Sequence, residues 1–286
     1  MVRRSVITIG TFDGVHKGHK LLINKTLIIA KKYNLISIIV MLEKPVKSVH
    51  GLLTTYKEKL EKIKLFGMDK IFVIKVPSKI LSCYPEEFFN KFLCSTLNIE
   101  RIVCGPDFAF GKNKNGNVEW LKKKNVKICV IKPLKYVSKQ ISSSLIRTLI
   151  EEGDIKKVAK LLGRNYSFTG IPFKGKGIGS KLGFPTINLR ISKEKLLPKG
   201  VYVSIITQKN IMYPSITNIG TRPTFNQKNK IVPEIHILNF KKMWKKSKSE
   251  VILLKKIRNE KKFINVKLLT TQIVKDVSKA IHFFKL

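Results

Sequence analysis

The chain changes its rhythm near residue 165, and that change limits its folds more than any other feature. Before it, short apolar runs alternate with helix-length amphipathic segments. Residues 6–9, 35–42, 70–76, 101–104 and 126–131 read as strands, and 18–33, 57–66 and 85–97 as helices. Strands separated by helices imply a parallel sheet covered on both faces. Beyond residue 165 the apolar runs 201–206, 213–218, 231–240 and 251–257 follow one another at hairpin spacing, among frequent glycines and prolines. That pattern predicts a small antiparallel barrel. Leu269, Ile273, Val277, Ile281 and Phe284 then recur at a spacing near four, one apolar stripe of a closing helix. Between the halves, Ser142-Ser143-Ser144 opens a helix that stops at Gly153, and Asp154 caps a second that ends at Gly163. The expected division is therefore an α/β domain over 1–164 and a β domain over 165–286. A length of 286 residues suits two domains.

Charge matters here because it invites a different reading. Lys+Arg 57 against Asp+Glu 18 gives a net charge of +39, a balance that suits nucleic acid or an anionic surface. Only eight of those residues are arginine, the side chain whose planar fork grips phosphate and bases. The lysines are scattered along the whole chain, so they read as solvated faces, and no nucleic-acid partner is expected. Cys83, Cys94, Cys104 and Cys129 form no C-x-x-C and sit in apolar stretches, where free cysteine behaves as a small hydrophobe. The longest apolar run, 35–42, is far short of a membrane span. No leader-like segment precedes the first strand. The expected compartment is the cytoplasm, with no membrane partner.

The segment Gly10-Thr11-Phe12-Asp13-Gly14-Val15-His16-Lys17-Gly18-His19 follows a strand and opens a helix. Free N–H groups at a helix start attract anions, and glycines let backbone approach a phosphate. His16 and His19 are placed to face one anion and donate to its oxygens as charge shifts. Asp13 is a candidate to hold a metal or to orient a loop. H-x-G-H in this setting resembles the signature of the HIGH-type nucleotidyltransferases, whose second motif is a serine run followed by Arg or Lys. Ser142, Ser143, Ser144 and Arg147 supply that motif here. The resemblance implies a Rossmann-like domain in which Gly10, Thr11, Phe12, Asp13, Gly18 and the three serines bind ATP phosphates. It makes His16, His19 and Arg147 catalytic.

The longer form G-T-F-D-G-V-H-x-G-H resembles the prokaryotic bifunctional riboflavin kinase/FMN adenylyltransferases, or FAD synthetases. Gly105-Pro106-Asp107-Phe108-Ala109-Phe110-Gly111 is similar to that family's G-x-D-F-x-F-G. The resemblance assigns Asp107, Phe108 and Phe110 to the flavin and nucleotide; two phenylalanines on such a loop are equally suited to a core. Gly170 to Lys176 nearly spells a phosphate-binding P-loop, but Gly177 stands where Ser or Thr is needed and no helix is expected to follow. The glycines instead suit a flap over a triphosphate, with Gly175, Gly179 and Lys181 as its phosphate contacts. Leu182-Gly183-Phe184-Pro185-Thr186-Ile187-Asn188 resembles the riboflavin-kinase motif L-G-x-P-T-A-N, which implies Thr186 and Asn188 beside Mg²⁺ and ATP.

Further on, Asn218-Ile219-Gly220-Thr221-Arg222-Pro223-Thr224-Phe225 matches N-x-G-x-R-P-T-F, and Glu234-Ile235-His236-Ile237-Leu238-Asn239-Phe240 follows E-x-H-I-L-D-F. The resemblance makes Glu234 the general base for the riboflavin 5′-hydroxyl and sets Asn218, Arg222 and Arg258 on the flavin side. It covers nearly the whole chain. The implied ligands are riboflavin, FMN and ATP with Mg²⁺; the implied chemistry is phosphorylation of riboflavin and adenylylation of FMN. Departures exist: the proline-rich strand end is reduced to Leu42-Glu43-Lys44-Pro45, Ser180, Ile187 and Asn239 replace Arg, Ala and Asp, and a Tyr-Gly is absent around Met243-Trp244. Four of the five fall in the kinase half. The alternatives left open are an adenylyltransferase with an impaired kinase half and a basic nucleic-acid-binding protein.

Overall fold

The computed structural model describes residues 3–46, 49–175, 177–224, 227–240 and 244–286, with the side chains of 222–230 outside that description. The chain divides into two compact units, Met1–Ser143 and Ser144–Leu286.

The first unit runs β1 (Ser5–Gly10), α1 (Lys17–Tyr33), β2 (Ile36–Leu42), α2 (Tyr56–Lys64), β3 (Lys70–Ile74), α3 (Lys79–Ser82), α4 (Pro85–Glu87) and π-wound turns Phe88–Thr96. It continues with β4 (Ile99–Cys104), β5 (Ala109–Phe110), β6 (Gly116–Asn117), α5 (Val118–Lys122), β7 (Lys127–Val130), β8 (Lys135–Tyr136) and β9 (Lys139–Gln140). β3-β2-β1-β4-β7 form a 5-stranded sheet, and every pairing in it is parallel. Alternation along β1 loads both faces. Val6 packs with Ile29 and Ala30 of α1, while Ile7 packs with Phe88, Phe92 and Leu93. In a sheet of this order the connections leave β1 and β4 towards opposite sides, and a crevice opens beyond their carboxyl ends. The hairpins β5–β6 and β8–β9 and the short α5 were not separable by pattern, because two-residue strands carry no periodicity.

The second unit opens with α6 (Ser143–Glu152) and α7 (Ile155–Leu162). Asp154 caps α7 through the Lys157 amide, and Gly163 ends it in the left-handed region. α7 packs on the barrel, which places the joint helices with the second unit although the change of texture falls after them. Then follow β10 (Tyr166–Phe173), α8 (Ile178–Lys181), β11 (Ile187–Arg190), β12 (Gly200–Gln208), β13 (Ile211–Thr224), β14 (Gln227–Ile237), β15 (Ser249–Arg258) and α9 (Val266–Phe284). The closed barrel has the order β10-β11-β14-β13-β12-β15. β10 and β11, which the apolar pattern did not single out, complete it. The expectation that no helix follows Gly177 needs correcting. Gly177 takes a positive φ of 70° and starts α8, a single turn, because glycine alone enters that conformation without strain.

The barrel interior holds Tyr202 and Ile206 and a buried hydroxyl chain, Ser204 to Ser215 at 2.8 Å and to Thr217 at 2.7 Å. The alternate residues Val201 and Val203 face outwards and meet Val277, Ile281 and Phe284 of α9. The predicted stripe thus packs on the outside of the barrel. Among the described residues no helix is long and apolar enough to cross a membrane.

Candidate active sites

A cleft of about 630 Å³ opens at the carboxyl ends of β1 and β4 in the first unit. Gly10, Thr11, Phe12, His16, Gly18, His19, Asp107, Phe108, Phe110, Ser142 and Ser143 all line it. The loop after β1 is bent hard: Phe12 sits at φ 51°, Gly14 at 82° and Val15 at 40°. A bulky and a β-branched residue in that region carry strain, held by burial of both side chains, and such strain gathers at functional sites. His16 caps α1, its Nδ1 accepting from the His19 amide at 3.3 Å. The two imidazoles stack with centroids 3.6 Å apart and an interplanar angle of 17°. Gly18 permits this, since a Cβ there would stand 3.1 Å from the His16 ring. Both rings therefore present edges to one place, as two donors for one anion require.

Of the two roles open to Asp13, its contacts fit the second. The buried carboxylate accepts from the amides of Leu53 and Thr54, at 3.2 and 3.0 Å, and from the Thr54 hydroxyl. It ties the 53–54 loop to the glycine loop and lies behind the cleft wall. Ser143 adds a second tie, its hydroxyl donating to the Asp13 carbonyl at 2.9 Å. Ser144 and Arg147 belong to the second unit, on the first turns of α6. The two phenylalanines share both readings. Phe110 is buried against Phe88 and Trp120; Phe108, half-buried, lies on it at 5.6 Å and faces the cleft.

The second unit carries a pocket of about 500 Å³ between the outer barrel face and α9. Its floor is a single row of strand residues. Asn188 of β11 stands opposite Glu234 of β14, Glu234 opposite Asn218 of β13, Asn218 opposite Val201 of β12, and Val201 opposite Arg258 of β15. Four of the nominated residues, far apart in sequence, thus stand side by side. Thr186 and His236 flank the row. The His236 ring meets the Pro185 carbonyl at 2.9 Å; a carbonyl only accepts, so Nδ1 carries the proton there.

Above this row passes the flap. A Cβ on Gly175 would fall 2.2 Å from the Asn188 amide, and one on Gly179 would fall 2.4 Å from the Phe184 carbonyl and 3.2 Å from the Thr186 hydroxyl. The two glycines let backbone lie directly on the polar pair, while Lys181 is exposed on α8. The Thr186 hydroxyl and Asn188 carbonyl are hard oxygen donors at a glycine-floored cradle, a set that fits Mg²⁺ carried in on phosphates. Among the described residues no group of three or more His, Cys, Asp or Glu side chains gathers to hold a metal by itself. The Arg222 side chain lies outside the described residues.

Sequence reasoning missed several residues. Asp276, on the predicted apolar face of α9 and only 3% exposed, receives Arg258 Nε at 2.8 Å and Gln272 at 2.9 Å. A lone acid inside that stripe was the available signal. Glu260 accepts from the Thr221 amide at 3.1 Å and lines the pocket. In the first unit, Lys59 is buried on α2 and donates to backbone carbonyls at the cleft's edge. Burial pushes its ammonium down to about 8, against the attraction of Asp13 and Glu43.

A parallel sheet with a glycine–histidine loop at its switch point, followed by a closed barrel whose strand row sets Glu234 between two asparagines, defines a two-domain transferase of the nucleotidyltransferase-like class. Residues 1–145 match the model of the FAD synthetase family and residues 162–284 that of riboflavin kinase. The chain belongs to the family of bifunctional riboflavin kinase/FMN adenylyltransferases. A relative of that description from Buchnera aphidicola subsp. Schizaphis graminum is 37% identical over 99% of this chain and 95% of its own. One from Bacillus subtilis is 31% identical over 98% of this chain and 93% of its own. The crystal structure of a macrolide-efflux protein from Streptococcus pneumoniae shares the fold, with TM-score 0.87 and 27% identity over 96% of this chain and 93% of that one.

Proposed function

We propose that the chain converts riboflavin to FMN in residues 165–286 and FMN to FAD in residues 1–164, spending one ATP at each step. The observation that carries the reading is the register row, which sets one carboxylate, Glu234, between two amides and beside the Thr186–Asn188 cradle. Glu234 takes the proton of the riboflavin 5′-hydroxyl as that oxygen attacks the γ-phosphorus, and ADP leaves. Thr186 and Asn188 hold the phosphate end of ATP with Mg²⁺, which when bound neutralises charge on the transferring group. Gly175 and Gly179 close backbone over it. Asn218 and Arg258, the latter steadied by Asp276, face the flavin.

In the first unit an FMN phosphate oxygen attacks the α-phosphorus of ATP, and the bond to the β-phosphate bridging oxygen breaks to release pyrophosphate. The nucleophile is already an anion, so no side chain need remove a proton. His16 and His19 donate to the charge that builds on the phosphates, and Gly10, Thr11 and Gly18 keep backbone close to them. Asp13 shapes the loop, and Phe108 offers the flavin ring an apolar face. The roles of Ser144 and Arg147 rest on the motif alone.

Three of the four departures in the kinase half, Ser180, Ile187 and Asn239, do not line the pocket, and the fourth, at Met243-Trp244, falls partly outside the described residues. Asn239 is a turn residue at φ 53°. The substrates are small molecules of the cytoplasm rather than nucleic acid. Purified protein given riboflavin, ATP and Mg²⁺ should yield FMN and then FAD by chromatography. FAD from supplied FMN without FMN from riboflavin would mean an impaired kinase half. Binding to random duplex with a steep salt slope would favour the nucleic-acid reading.

A further inference from the structure

Two edges of the first unit's cleft hang from one side chain. The loop after β1 contributes Thr11 and the end of β2 contributes Leu42. Lys59, 2% exposed, donates from Nζ to the carbonyls of Thr11 at 2.8 Å, Leu42 at 2.5 Å and Glu43 at 3.1 Å. An ammonium has three protons, and here each has a backbone carbonyl. Burying a cation is costly unless its partners are well placed, and a methionine would fill similar volume without that cost. The lysine therefore has a task that packing alone does not explain.

The geometry names the task. The Thr11 carbonyl belongs to the peptide plane before Phe12, so its direction is tied jointly to the ψ of Thr11 and the φ of Phe12, which stands at 51° in the strained region. Holding that carbonyl holds the bend that turns the glycine loop towards His16 and His19. At the other edge, the end of β2 has a single proline, Pro45, to stiffen it. The Lys59 tie to Leu42 and Glu43 sets that edge against the loop.

We propose that Lys59 is a positioning residue for adenylyl transfer: by joining the Thr11 carbonyl to the end of β2 it fixes the width of the ATP cleft before the nucleotide enters. The proposal rests on the reading of this cleft as the adenylylation site. Burial holds the Lys59 ammonium down to about 8, with Asp13 and Glu43 facing it, so it is charged at neutral pH and all three ties are made.

The test compares wild type, Lys59→Met and Lys59→Arg in two assays on the same preparations: FAD from supplied FMN, and FMN from riboflavin. Misplacing a reacting group by about an ångström costs up to roughly 10²-fold. Lys59→Met should therefore raise the KM for ATP in the FAD assay by about tenfold or more, with both constants of the kinase assay unchanged. A merely structural lysine would lower the fraction of competent enzyme, and so kcat, while leaving KM alone. Should Lys59→Met fail to fold, Lys59→Arg decides: it keeps a cation and donors, and its planar fork should still raise the ATP KM, by a smaller factor. An unchanged ATP KM in whichever variant folds overturns the proposal, as does an equal change in both assays. Wild type that makes no FAD from FMN overturns the reading of the cleft itself, and the proposal falls with it.

Discussion

The two units build their sites in opposite ways. In the first, the groups that meet the ligand sit on loops after parallel strands, in short continuous stretches of sequence: 10–19, 105–110 and 142–143. In the second, they sit on the strands themselves, one or two per strand, and the register of the barrel gathers Asn188, Glu234, Asn218 and Arg258 into a row. A loop site depends on a few strained dihedrals and the ties that hold them, such as those from Asp13, Ser143 and Lys59. A row site depends on many ladder hydrogen bonds at once, and a one-residue slip would turn every side chain in it to the wrong face. The first should therefore be sensitive to single anchors, the second to its charges and its glycine-floored flap.

If the sites are as separate as this contrast implies, the sharpest break is Glu234→Gln. It keeps shape and removes the base, and general-base loss costs roughly 10²–10⁴ in rate. FMN formation should fall by that factor while FAD from supplied FMN continues; loss of both in a folded protein would mean one shared site. The mirror is His19→Ala, which removes one donor to developing charge. FAD formation should drop by about 10²–10³, with riboflavin phosphorylation intact.

Stability offers the next contrast. The unfolded chain keeps the Lys59 proton to its ordinary pKa of 10.5, whereas the folded chain releases it near 8. Between those values the unfolded state binds more protons, so the first unit should gain stability as pH rises, by up to about 3 kcal/mol. Urea unfolding of wild type against Lys59→Met across that range reads the difference, and equal pH slopes would contradict it. Smallest is Asp276→Asn. It leaves the shape of the Arg258 site but takes its charge, at a cost of about 1–2 kcal/mol in the second unit. Unfolding midpoints should show that loss, while FAD formation from FMN stays as it was.

How much of this was legible in sequence follows from the same contrast. Gly10 to His19 could be read as a phosphate site because strand, glycines and histidines are adjacent in the chain. Glu234 could not: a glutamate in an alternating strand carries no sign of its neighbours, and only likeness to a family singled it out. Lys59 escaped because one lysine among many looks like surface, and Asp276 because the stripe was read for its apolar positions alone. The two-residue strands and α8 escaped because such short elements leave no periodic trace.

What the sequence determined by itself is the class of each half, since alternation of strand and helix, or of strand and turn, is a local property that burial period alone imposes. It also determined the phosphate loop, whose chemistry lies within a few consecutive residues. Tertiary structure alone decided the closure of the barrel by β10 and β15, the row across its outer face, and the burial of Lys59 and Asp276 as anchors. Those depend on which strand pairs with which and in what register. They also depend on which charges burial strips of water, and both are set only when distant segments meet.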